Sequence, residues 1–104
     1  MTSAFDLQAM EDRIKSESIN VLMSIQSYRV IEPSYFDRLR GAVSDAVAFY
    51  KDEPDAPAVV IQEIEDAAQI IRNEAHAFEG RTVACLEMAD WLGAARDQLL
   101  LGRE

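Results

Sequence analysis

Few side chains in these 104 residues carry obvious chemistry. His76 is the only histidine and Cys85 the only cysteine. One histidine can act as a base, a nucleophile or a phosphoryl acceptor, but it cannot build a His-rich zinc or haem-type site. Two acidic pairs, Glu63-x-x-Asp66 and Glu87-x-x-Asp90, each place carboxylates one helical turn apart. Carboxylates at such spacing are hard oxygen donors on one face of a helix. Cys85 and His76 are close enough in sequence to be weighed as a nucleophile–base pair, although no third group is in place to orient them.

The elements that must position these groups are helices. Leu7, Met10, Ile14, Val21, Leu22, Ile25 and Tyr28 recur at helical steps, which predicts a first helix from about Ala4 to Ile31. Ser16, Glu17 and Ser18 interrupt its stripe and predict a kink or a water-facing stretch there. Glu32-Pro33 ends that helix, and Pro33 opens a second one running to about Lys51. Phe36, Leu39, Val43, Val47 and Tyr50 form its stripe, broadened by Tyr35, Ala42 and Phe49 into a face that touches two neighbours. Asp52-Glu53-Pro54-Asp55-Ala56-Pro57 reads as a linker, with Asp55 the candidate N-cap and Pro57 an early position of helix three. That helix carries Ile61, Ile64, Ala68, Ile71, Ala75 and Phe78 to about Glu79, and Gly80 suits the residue just past its end. Helix four starts near Thr82 with Cys85, Met88, Leu92, Ala95 and Leu99 on its core stripe.

The expected fold is therefore one all-α domain over residues 1–104, an antiparallel bundle of about four helices. The apolar phase also runs on through Gly80, so three helices, the last continuous over 56–101 and about 69 Å long, form the alternative. In a hairpin, residues equidistant from Gly80 face each other, so Glu87 meets Glu74 rather than Glu63.

Helical spacing also orients the candidates. His76 falls about 120° from the core direction, Asp66 about 160° and Asp90 about 180°, all towards water. Cys85 lies on the core stripe and behaves as a small hydrophobe. The segment Glu74-Ala75-His76-Ala77-Phe78-Glu79-Gly80 resembles the phosphoacceptor segment of histidine-containing phosphotransfer domains, small helical bundles whose motif reads His, two residues, Lys, Gly. That resemblance implies a signalling role with His76 as phosphoryl acceptor; Glu79 stands at the lysine position. The two acidic pairs resemble the paired E-x-x-E and E-x-x-D helices of the MazG-like all-α nucleotide pyrophosphohydrolases, which implies Mg²⁺-dependent cleavage of a triphosphate with Glu63, Asp66, Glu87 and Asp90 as the candidate metal ligands.

Charge and apolar surface point elsewhere. Nineteen acids against ten Lys and Arg give a net charge of −9, which argues against nucleic acid and anionic membrane as partners and allows a basic protein. Six acids and no basic residue fall between Asp52 and Ile71, namely Asp52, Glu53, Asp55, Glu63, Glu65 and Asp66. Trp91 lies about 80° off the core axis of helix four. Beside Ala84, Met88 and Ala95 it forms a second apolar stripe, which Leu100 and Leu101 extend. The lone cysteine and an N-terminus without a basic-then-apolar pattern lead us to expect a cytoplasmic protein. The expected function is non-enzymatic and cofactor-free: binding to other protein, as a homodimer and as an inhibitor, antitoxin, immunity-type or regulatory protein. Trp91, Met88, Leu100, Leu101, Asp52, Glu53, Asp55, Glu65 and Asp66 form the expected contact surface.

Overall fold

The computed structural model describes residues 4–51 and 56–101, with side chains described over 7–51 and 56–100. It consists of four α-helices, α1 (Ala4–Gln26), α2 (Pro33–Tyr50), α3 (Ala58–Glu74) and α4 (Thr82–Leu101), with a 3₁₀ turn at Ala75–Ala77. No strand occurs among the described residues. Asp52, Glu53 and Asp55, with the expected N-cap, lie outside the described residues, and so does the side chain of Leu101.

α1 and α2 form one antiparallel hairpin and α3 and α4 another. In the bundle α1 sits between α2 and α3, and α4 between α3 and α2. The ends of α1 and α3 meet, where Arg29 Nη1 lies 3.0 Å from a carboxylate oxygen of Glu74, so these two helices run in the same direction. The core is the sum of the predicted stripes. Ile14, Leu39, Ile64, Ile71 and Leu92 are all fully buried, and each side chain of that size contributes about 1.5–3 kcal/mol.

α1 ends five residues before the predicted Ile31. The amides of Ser27 and Tyr28 both donate to the Met23 carbonyl, at 2.9 and 3.1 Å, and the Val30 amide returns to the Ser24 carbonyl at 2.9 Å. Ser24 Oγ donates to the Val30 carbonyl at 2.6 Å. The turn depends on Arg29 at φ 57°, a left-handed conformation usually left to glycine. Tyr28, expected on the apolar stripe, is consequently 68% exposed. The expected break at Ser16–Ser18 is also absent: α1 is continuous, and Ser18 is fully buried on the stripe of Ile14, Val21 and Ile25.

α2 begins at Pro33 as expected, after an extended Glu32. α3 begins at Ala58 with Pro57 as its N-cap, one residue later than the reading that put Pro57 inside the helix. It ends at Glu74 rather than Glu79, because the chain tightens into the 3₁₀ turn and reverses at Gly80, φ 80°. The Arg81 amide donates to the Phe78 carbonyl at 2.9 Å, and Thr82 Oγ1 donates to the Ala75 carbonyl at 3.0 Å. A continuous helix over 56–101 is thereby ruled out. Two ion pairs, Arg72–Asp90 at 2.8 Å and Arg96–Glu65 at 3.3 Å, are centred on Gly80–Arg81, as a hairpin requires.

Candidate functional site

His76 is exposed, but it sits on the 3₁₀ turn and not on the α-helix assumed for its orientation. Gly80 beside it has a structural task, since its positive φ makes the reversal; open space surrounds the position a Cβ would take. Cys85 is buried, and burial raises its thiol pKa above the ordinary value, partly opposed by the nearby Arg81 charge. A raised pKa keeps the thiol protonated and unreactive at neutral pH. Cys85 is buried and His76 exposed, and no hydrogen bond joins them among the described residues.

The hairpin also separates the two acidic pairs. With facing positions centred on Gly80–Arg81, Glu87 stands near the turn and Glu63 near the far end. Asp90 is held by Arg72, and Asp66 accepts a hydrogen bond from Gln62 Nε2 at 2.8 Å. Among the described residues no three His, Cys, Asp or Glu side chains converge as a metal site. Glu65, placed on the acidic face, pairs with Arg96, which also holds Asp97 at 2.9 Å. The outer surface of α3 is therefore partly neutralised from α4.

What the structure does assemble is a groove between α2 and α4. Ser44, Val47, Trp91, Ala94, Ala95 and Gln98 line an open depression of about 370 Å³. It continues past Val47 and Gln98 into a second depression of about 360 Å³, reached by Tyr50, Lys51 and Leu99. The cause is local. α2 meets α4 less extensively than any other neighbouring pair of helices meets, and Ala94 and Ala95 leave the space between them open. Trp91 and Val47 pack on the core with one side and face the groove with the other.

Family models, curated proteins and solved structures give no match to this chain.

The expected contact residues divide along this groove. Trp91 lines it, whereas Leu100, also exposed, is not among the residues lining either depression. Met88 is a correction: it is fully buried, because α4 packs against both α2 and α3 and its second apolar stripe is largely core. The contribution of α2 was missed. Val47 and Tyr50 were assigned to the core stripe, and the available clue was that Val47 lies at the edge of that stripe. Ile19 and Met23, one turn apart on α1 and both exposed, form a smaller apolar patch that was also missed.

Proposed function

We propose that this chain is a non-enzymatic protein-binding module that works as a homodimer through α4 and can engage a basic protein through its acidic face. The observation that carries this reading is the position of Trp91, on the wall of an open groove beside Val47 and Ala94. An indole is costly to leave wet, and tryptophan is enriched where proteins meet. The charge of −9 supports a basic partner, in the manner of an inhibitor, antitoxin or immunity-type protein.

Trp91 is the only tryptophan, so its fluorescence reports on the groove without labelling. The reading expects sedimentation equilibrium to show self-association, with Trp91 emission moving to shorter wavelength as concentration rises. A strict monomer with invariant emission, retaining nothing in a low-salt pull-down, overturns it.

A further inference from the structure

The charges along the α2–α4 edge are arranged in an unusual way for so acidic a chain. Asp45 turns to Arg13 of α1, Asp37 pairs with Arg40, Asp90 is taken by Arg72 and Asp97 by Arg96. On α2, Arg38 lies over the Tyr35 ring, 5.8 Å from its centre, and among the described residues Lys51 and Glu87 stand outside ion pairs, one at each end of the edge. Lys51 is exposed and lines the far end of the groove beside Leu99. Glu87 is exposed one turn before Trp91 on the same side of α4. From Glu87 to Leu99 is about 18 Å along the helix at 1.5 Å per residue. Exposed Ala94 lies close to midway.

A surface with an acid at one end, a base at the other and a small residue between them is complementary to its own inverted copy. Resting on the protein-binding reading above, we propose that the occupant of this groove is a second copy of the chain, packed antiparallel about a two-fold axis near Ala94. Small side chains at the axis allow the two α4 helices to approach closely. Each Trp91 then covers the Val47–Gln98 end of the other groove, and each Lys51 faces the other copy's Glu87. The contact is isologous, so each ion pair occurs twice. The two α2 and two α4 helices together make a second four-helix unit, closing the edge that each protomer leaves open. A basic partner is drawn instead to the uncompensated acids elsewhere, since this edge is neutral overall.

Charge exchange tests this arrangement, read by sedimentation equilibrium on the full chain. Lys51→Glu and Glu87→Lys are each expected to weaken dimerisation roughly tenfold, since each change acts at two symmetric contacts. The double exchange is expected to restore it. Glu87→Lys is the sharper arm, because it adds two positive charges to a chain of net −9 and would strengthen association if only overall repulsion mattered. Ala94→Cys is expected to give a disulfide-linked dimer under mild oxidation, while Val59→Cys, exposed on α3, forms no such link. A dimer indifferent to both exchanges and not cross-linked through Ala94→Cys overturns this geometry and leaves the broader reading standing. A strict monomer overturns both the geometry and the homodimer.

Discussion

Arg29 Nη1 lies 3.0 Å from the Glu74 carboxylate, joining the turn after α1 to the end of α3. The same guanidinium stands 5.1 Å from the centre of the Phe78 ring and donates to the Ile25 carbonyl at 3.3 Å. Its backbone is left-handed, so the side chain is held at the expense of local strain. Arg29→Ala removes the tethers and keeps the strain, and should cost about 1–2 kcal/mol in urea unfolding. Arg29→Gly removes the tethers and the strain together, and should be less destabilised than the alanine variant by about 1 kcal/mol. Equal stability of the two variants would mean that the turn does not hold Arg29 in this conformation.

Ser18 is fully buried, and its hydroxyl has no hydrogen-bond partner. Replacing it with alanine relieves an unsatisfied polar group and adds helix propensity. Ser18→Ala should therefore raise stability by about 0.5–1.5 kcal/mol, read as a higher denaturant midpoint at unchanged slope. A lower midpoint would show that the hydroxyl is satisfied in solution.

Gly80 turns the α3–α4 hairpin at φ 80°, with no atom within 4 Å of its would-be Cβ. Because nothing would be hit, the cost of Gly80→Ala is purely conformational, about 1–2 kcal/mol. For a domain of this size that lowers the thermal midpoint by several degrees. An unchanged midpoint would indicate a turn of a different type.

Burial holds the Cys85 thiol above its ordinary pKa of 9.0. The folded chain therefore keeps a proton that the unfolded chain releases. The stabilising contribution is complete below pH 9 and is lost as pH rises towards and through the folded-state value. Cys85→Val should flatten the fall in stability above pH 9, measured by urea midpoints across alkaline pH. A wild-type thiol that reacts with aromatic disulfides as fast folded as unfolded would contradict the burial.

Salt separates the two kinds of partner. Two copies at −9 each repel, so dimerisation should tighten as the Debye length shrinks from about 30 Å at 0.01 M to about 3 Å at 1 M. Binding to a basic protein should weaken over the same range. Dimerisation that weakens steeply with salt would mean that the two Lys51–Glu87 pairs outweigh the overall repulsion.

The sequence made the inward faces legible. Cys85, Met88, Leu92, Ala95 and Leu99 follow the three–four rhythm, and all five are buried. The hairpin at Gly80 was legible for the same reason, with glycine placed where a left-handed residue is needed. The end of α1 was not, because Arg29 makes a turn that no glycine or proline announces. Ser18 was misread because its polarity outweighed its place in the stripe, four residues after Ile14. The groove was least legible. Periodicity says which side of α4 faces inward, but the openness beside Trp91 depends on how far α2 stands from it. That distance is set by the whole bundle and not by either helix alone.

The two-hairpin arrangement also bears on the order in which the chain assembles. The ion pairs that join the two helices of one hairpin link residues 18, 31 and 32 apart, whereas Arg29 and Glu74, which link one hairpin to the other, are 45 apart. Closing the shorter loops costs less chain entropy, and topologies rich in near contacts fold fastest. Each hairpin can therefore form on its own timescale before the two meet. The Arg29–Glu74 link is then among the last contacts made, so Arg29→Ala should speed unfolding while leaving the folding rate almost untouched.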